Sequence, residues 1–259
     1  MPEVAVMLLV QARPGARAWL FGRLVQGARP LVAREPGLRF ARVLGSGHEG
    51  GFGLRPSFDR GGLFALFDTE ADARRFVAAS ATVAGYRAHA QELLVAVLRA
   101  SSVRGAWGGQ TMRATAEARP GAMVASLTRA SIRPAQAVRF WRHAAPSQAA
   151  LAGAGGCLLL AGLGEAPLLR QATFSLWRDD AAMDAYARQG PHQAAIRAAY
   201  QQRFFAESMF VRFVPLVVQG TWKGRAFDLV QAPAAPPPRG EDSTSTTAAA
   251  PSAPEEAHA

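Results

Sequence analysis

The sequence contains almost no cysteine and almost no lysine. Its single cysteine, Cys157, excludes an internal disulfide and a zinc site built from several thiolates, so the fold must be stabilised by packing alone. Its single lysine is Lys223, and arginine supplies nearly all of the 29 basic residues, which stand against 19 acidic ones for a net charge of +10. The lack of disulfides is typical of a protein of the reducing cytoplasm.

Long hydrophobic runs are absent as well. The longest uncharged stretch, residues 144–164, contains Pro146 and five glycines, and it predicts the end of a helix, a turn and a strand instead of a membrane-spanning helix. The first ten residues include Glu3 and no positively charged region, so no export signal is expected. These features leave peripheral contact as the expected form of membrane association.

Sequence patterns of several common functional classes are also missing. Gly-x-Ser-x-Gly and His-Glu-x-x-His do not occur, and the glycine-rich stretch at residues 45–53 lacks the lysine and the helix that follow a phosphate-binding loop. The arginines stand singly along the chain and do not form basic blocks with interleaved aromatics, which argues against nucleic-acid binding. We therefore expect neither these hydrolytic mechanisms nor a nucleic-acid partner.

The chain divides into a duplicated body and a polar tail. Residues 231–259 consist largely of Ala, Pro, Ser and Thr and predict a disordered tail, because they cannot bury enough apolar surface to offset their chain entropy. In the body, three pairs of segments repeat: Arg13-Pro14 with Arg133-Pro134, Leu63–Phe76 with Thr173–Tyr186, and Gly105–Trp107 with Gly220–Trp222. We therefore expect a first half at residues 1–118 and a second half at residues 119–230.

Each half predicts the order strand, helix, strand, strand, helix, strand, which is that of the ferredoxin-like split βαβ unit. Because helices cover only one face of such a sheet, the two bare faces are expected to pack together. The predicted fold class is α+β, with two tandem ferredoxin-like halves packed as an intrachain α+β barrel of the dimeric α+β barrel type. We expect an interior of this kind to hold a large apolar ligand.

His192 stands apart from the other four histidines of the sequence. Gly190 and Pro191 end one helix and begin another, and helical spacing then gathers an apolar face that is expected to look inward, made of His192, Ala195, Ile196, Ala199 and Tyr200. In the first turn of a helix the dipole keeps an imidazole neutral, which is the form that binds a metal. A core histidine and a metal ligand both fit this position.

Cys157 and three arginines are the other candidate site residues. Cys157 lies in an apolar strand, where a small buried side chain and a thiolate iron ligand are competing interpretations. Arg212 interrupts the apolar run of residues 209–214, so it must reach solvent at a strand edge or pair with an acid inside the barrel. Glu165, Glu207 and a carboxylate of a bound cofactor all fit, and Arg129 and Arg133 are candidates for the same role.

The second half resembles a known family over about a hundred residues, in order and closely spaced. The matching segments are residues 125–134, 140–142, 162–167, 170–177, 183–188, 207–213 and 220–224. They are similar to the spheroidene monooxygenases, the carotenoid ketolases of purple phototrophic bacteria. The first half resembles this family more loosely, through Arg13-Pro14 and the repeat itself, and the tail does not resemble it.

This resemblance implies a haem-dependent monooxygenase that uses dioxygen to introduce a keto group at C-2 of acyclic carotenoids, converting spheroidene to spheroidenone. It implies His192 as the iron ligand, with Cys157 as the competitor, and it makes Arg129, Arg133 and Arg212 candidates for the haem propionates. Thr82, the counterpart of His192 in the first half, cannot bind iron, so one haem per chain is expected.

The partners implied are a ferredoxin-type electron donor and the surface of the photosynthetic membrane, which a basic body suits. The protein is thus expected in the cytoplasm, peripherally attached to that membrane. The alternative is a barrel that binds haem or lipid without turnover.

Overall fold

The computed structural model describes residues 2–51, 55–166, 168–188 and 190–230, and the predicted tail at residues 231–259 lies outside them. The strands are β1 (Val4–Ala12), β2 (Leu38–Gly47), β3 (Pro56–Phe67), β4 (Ala90–Gly105), β5 (Val124–Ile132), β6 (Cys157–Ala166), β7 (Arg170–Trp177), β8 (Phe205–Trp222) and β9 (Arg225–Val230). The helices are α1 (Arg17–Gln26), α2 (Arg29–Val32), α3 (Glu70–Ala79), α4 (Ala81–His89), α5 (Ala137–Ala152), α6 (Asp180–Ala187) and α7 (Gly190–Gln201).

Eight of these strands close into an antiparallel barrel. Their order around the barrel is β4-β1-β3-β2-β6-β7-β5-β8, and β8 pairs back onto β4. Strands of the first half, β1 to β4, therefore meet strands of the second half, β5 to β8, along two seams, β2–β6 and β4–β8. The ninth strand, β9, lies outside the ring as a hairpin with β8 and was not foreseen from the sequence.

Side chains from both halves fill the inside of the barrel. Alternate residues of each strand point inward, and the largest of them include Met7, Phe40, Phe64, Phe174 and Phe213, all buried. The cavity that remains between Phe40, Phe64 and Met209 measures about 10 Å³, which is room for one water molecule. The prediction that the interior holds a large apolar ligand is wrong for this structure, because an eight-stranded barrel is narrow enough for its own side chains to fill.

Helices cover the outer face of the first half tightly. The outward residues of β1, Val4, Val6 and Leu8, are fully buried, and they share one apolar cluster with Leu20 of α1, Phe76 of α3 and Val83 and Tyr86 of α4. Side chains cap the N-termini of α3 and α4. Thr69 accepts a hydrogen bond from the backbone amide of Asp72, and Ser80 accepts one from that of Thr82.

The helix ends predicted for the second half are found where the sequence indicated them. The uncharged stretch at residues 144–164 forms the end of α5, a turn and most of β6. Helix α6 ends at Ala187, and a separate helix, α7, begins at Gly190. No helix within the described residues is long and apolar enough to cross a membrane.

Candidate active site

Three charged side chains point into the barrel at one end. Arg129 on β5 is only 4% exposed, and its guanidinium binds Glu165 of β6 through Nη2, 3.0 Å from Oε2. Its Nη1 donates to Oε2 of Glu207 on β8. An arginine buried this deeply requires such partners, because an unpaired charge in the interior would be strongly destabilising.

Two further residues join this cluster from the first half. Arg42 of β2 donates from Nε to Oε1 of Glu165 at 2.9 Å, and the indole Nε1 of Trp107 donates to Oε2 of the same carboxylate at 3.0 Å. Trp107 is buried and stacks on Phe64, with ring centroids 5.2 Å apart. Glu165 therefore links both halves of the barrel at this end.

Glu207 is held in its charged form. Burial raises its pKa, but the backbone amides of Gly109 and Gly108 and the charge of Arg129 lower it by more, so the net pKa lies below its ordinary value of 4.5. The Gly109 amide donates to Oε1 of Glu207 at 3.0 Å. A carboxylate that accepts an amide and an arginine in this way is an anion throughout the neutral pH range.

The three candidate arginines lie in different places. Arg212 is on the outer side of β8, where Nη2 donates to Oδ1 of Asp184 at 2.6 Å, and Arg133 is exposed after β5, with Nε 3.2 Å from the carbonyl oxygen of Phe205. Arg129 alone reaches the interior. Glu165 and Glu207, which the sequence offered to Arg212, bind Arg129 instead.

Strand alternation is the signal that would have found the buried cluster. Arg129 is two residues after Leu127, Glu165 is two after Leu163, and Glu207 is two before Met209; each of these apolar neighbours is an interior residue. Because side chains of one strand face the same way at every second position, all three charged side chains must face inward. Arg212 is out of phase with Val211 and Phe213 and therefore faces outward.

The outer face of the second half differs sharply from that of the first. Polar and smaller side chains, only partly buried, replace fully buried aliphatic ones: Ser126, Thr128 and Thr173 stand where the duplication puts Val6, Leu8 and Leu63. Arg212 is directly beside Ser126 on the neighbouring strand. We call the face made by Ser126, Thr128, Thr173 and Arg212 the outer polar face.

Helix α7 packs differently from its counterpart α4. Where α4 buries Val83 and Tyr86 against the first-half cluster, α7 packs chiefly against α5 within the described residues. Ile196 is 37% exposed and Ala195 and Ala199 are half-buried, so the face of α7 predicted to look inward is only partly covered; Ala198 is buried. Most of the described part of α7 and most of the outer polar face thus carry small side chains.

The metal-binding predictions have different outcomes. His192 lies in the first turn of α7, and its side chain is outside the described part of the structure, so its role stays a prediction. Cys157 is the first residue of β6, half-buried beside Trp177 and Met183, and burial raises the pKa of its thiol. Among the described residues, no three His, Cys, Asp or Glu side chains are grouped to hold a metal ion.

The chain has clear relatives among known proteins, although no protein-family model matches it. It is 56% identical over 225 residues to the spheroidene monooxygenase of Rubrivivax gelatinosus, which covers 87% of each chain. It is 37% identical over 229 residues to that of Rhodobacter capsulatus, over 87% of this chain and 95% of the relative. Among solved structures, aldoxime dehydratase matches with a TM-score of 0.55 at 11% identity, over 82% of this chain and 81% of that one, which shows a shared fold.

Fold and sequence together define the class. The closed antiparallel barrel with helices outside it is a fold shared with aldoxime dehydratase. The chain belongs to the spheroidene monooxygenase family, and it is a monooxygenase.

Proposed function

We propose that this chain is a haem-dependent carotenoid monooxygenase that converts spheroidene to spheroidenone. Each of two hydroxylations at C-2 consumes one dioxygen, two electrons and two protons and releases one water. The resulting geminal diol loses a further water to give the ketone. The electrons come from a ferredoxin-type donor, and the carotenoid substrate is the one that the names of the relatives indicate.

The observation that supports this proposal most is the outer polar face. At positions where the first half has the fully buried Val6 and Leu8, the second half has the smaller Ser126 and Thr128. These two side chains stay partly exposed. We propose that these smaller side chains leave a gap between the sheet and the helices that receives a flat cofactor, since ligand sites are generally concave with a few placed polar groups. The packed barrel below this face excludes water from that side.

The residues around the gap suit haem. Helix α7 carries His192 at its first turn, the position that keeps an imidazole neutral and able to bind iron. Arg133, at the end of β5, is an exposed cation suited to a propionate. Arg212, beside Ser126, would have to exchange Asp184 for a propionate, and Arg129 is already bound by two carboxylates. Haem, when bound, supplies the iron that activates dioxygen.

The remaining expectations follow the same proposal. The strand order β4-β1-β3-β2 and its repeat β8-β5-β7-β6 support two tandem ferredoxin-like halves, at residues 1–118 and 119–230. A basic body supports peripheral association with the photosynthetic membrane and docking of an acidic ferredoxin.

Two measurements test the proposal. Absorption spectra of the purified protein, with and without reductant and carbon monoxide, should show a haem that binds carbon monoxide when reduced. Incubation with spheroidene, dioxygen and reduced ferredoxin should then yield spheroidenone. A haem spectrum without ketone formation would favour a non-catalytic haem-binding barrel, and absence of haem would contradict the cofactor assignment.

A further inference from the structure

Helices of both halves cover one side of the barrel. Along the seam β2–β6, α1 packs on β2 and β3, α2 packs on β2, and α5 packs on β6. Leu24 of α1 lies over Gly45, the residue of β2 that pairs with Gly164 of β6. The helices α1, α2 and α5 thus flank this seam, and we call their outer surface the seam face.

The seam face is basic and free of acids. Residues 13–34, which include α1 and α2, contain five arginines and no Asp or Glu, and residues 133–164, which include α5, contain three arginines and no acid. Arg29, Arg139 and Arg142 are exposed, and within the described residues none of them has a salt bridge. Two acids border this face: Asp59 of β3 lies close enough to Arg17 for their charges to interact, and Glu35, just after α2, accepts hydrogen bonds from Ser80 and Thr82.

The same surface exposes large apolar side chains between its arginines. Phe21 and Val25 are one turn apart on α1 and are 56% and 72% exposed, and Val138 on α5 is 67% exposed. Apolar residues on the outside of a helix, flanked by arginines, are typical of helices that lie in the interface of a lipid bilayer.

Away from the seam face, several arginines are paired with acids. At the seam β4–β8, Arg212 is paired with Asp184, and on α3 the carboxylates of Glu70 and Asp72 pair with Arg74 and Arg75. On the seam face, exposed arginines without a salt bridge and large exposed apolar side chains lie next to each other on the same helices.

We infer that the seam face docks on an anionic lipid bilayer, with Phe21, Val25 and Val138 entering the headgroup region and Arg29, Arg139 and Arg142 binding lipid phosphates. The inference rests on the proposed function for its purpose, since a water-insoluble polyene must be collected from a membrane. An acidic protein partner would account for the exposed arginines, but it would not account for the apolar side chains exposed on the outer surface of these helices.

The test measures binding of the full-length protein to vesicles, without substrate. We expect it to sediment with vesicles of phosphatidylglycerol and phosphatidylcholine at low ionic strength, and to bind pure phosphatidylcholine weakly. Arg139→Gln combined with Arg142→Gln should weaken binding roughly 25-fold, about fivefold for each arginine. Phe21→Ser combined with Val25→Ser should weaken it at least about tenfold and remove the part of binding that persists in salt.

The matched control removes two exposed arginines from elsewhere. Arg104, at the end of β4, and Arg119, before β5, are exposed, and their double change to Gln should alter binding less than about threefold if position and not net charge decides. Equal loss in the control and in the α5 variant would overturn the inference, as would absence of vesicle binding by the unchanged protein. Circular dichroism of every variant checks that the fold is intact.

A second readout separates this inference from the proposed function. With spheroidene in detergent the seam-face variants should turn over normally, and with spheroidene in vesicles they should be slow. If no form of the protein oxidises spheroidene but vesicle binding depends on the seam face as described, the proposed function fails and the docking surface stands. If the variants lose reduction by ferredoxin and keep vesicle binding, the face serves an acidic protein and the inference is wrong.

Discussion

Glu207 and Glu92 occupy equivalent positions in the two halves, and each binds the turn that follows the last strand of the other half. Glu207 accepts the amide of Gly109 at 3.0 Å, and Glu92 accepts the amides of Lys223 and Gly224 at 2.9 and 2.7 Å. This reciprocal arrangement fixes both ends of the seam β4–β8. Glu207 also binds the deeply buried Arg129, whereas within the described residues Glu92 has no salt bridge, so the duplication is symmetric in its frame and asymmetric in the partners of these two carboxylates.

The glycines that begin these two turns should be irreplaceable. Gly105 has φ 82°, and a Cβ there would lie 2.0 Å from the carbonyl oxygen of Ser208; Gly220 has φ 109° and the same conflict with Leu93. We expect Gly105→Ala to lower the free energy of unfolding by roughly 3–5 kcal/mol, from backbone strain and steric overlap together. Gly109→Ala is the control, since Gly109 has φ 74° and open space around it and should cost about 1 kcal/mol. Equal losses in denaturant unfolding would contradict the steric argument.

The buried charges predict a large effect from removing Glu165. In Glu165→Ala, Arg129 loses one of its two carboxylates and the indole of Trp107 loses its acceptor, so we expect a loss of about 3–5 kcal/mol in denaturant unfolding. The exposed pair of Arg75 with Asp72 supplies the control, because Arg75→Gln should cost less than about 1 kcal/mol. Arg129→Met combined with Glu165→Gln should cost less than the sum of the single changes.

Sequence reasoning predicted the frame of the molecule better than its charged interior. The repeats at Trp107 and Trp222 revealed the duplication because each tryptophan is buried near the end of an equivalent strand, Trp107 two residues beyond β4 and Trp222 at the last residue of β8. The pairing of Arg129 was missed because Arg212 attracted attention by interrupting an apolar run, although strand alternation puts Arg212 outside. The filled interior was missed because the space inside a barrel depends on strand number and stagger, and composition does not reveal the stagger.

The pH dependence of stability should report Glu207. Because its pKa in the folded protein lies below the ordinary 4.5, its contribution is fully present above that pH and is lost as the pH falls through the folded-state value. We expect Glu207→Gln to be less stable than the unchanged protein at neutral pH, and the difference to shrink below about pH 4.5. Thermal unfolding across this range provides the measurement, and a pH-independent difference would show that Glu207 acts by shape alone.

The cofactor assignment predicts that His192→Ala folds normally and loses haem or ketone formation. Cys157→Ser should keep both, because the raised pKa of the buried thiol disfavours the thiolate that would bind iron. Haem content by absorbance, ketone yield and thermal unfolding are compared for both variants. Full haem occupancy and unchanged product in His192→Ala would refute this ligand, and loss of haem in Cys157→Ser would transfer the role to the thiol.

The outer polar face predicts that restoring the first-half residues closes the site. Ser126→Val and Thr128→Leu introduce the side chains found at Val6 and Leu8, which are fully buried in the equivalent positions. The added apolar groups should fill the proposed gap under the helices, so the double variant should take up little haem. Its free energy of unfolding should stay the same or rise by up to about 1 kcal/mol. The reverse exchange, Val6→Ser with Leu8→Thr, should leave haem uptake intact and destabilise the first half by several kcal/mol, roughly 2–5, because it puts polar groups into a sealed core. Normal haem uptake by the filled variant, measured by titration of the cofactor-free protein, would show that the cofactor binds elsewhere.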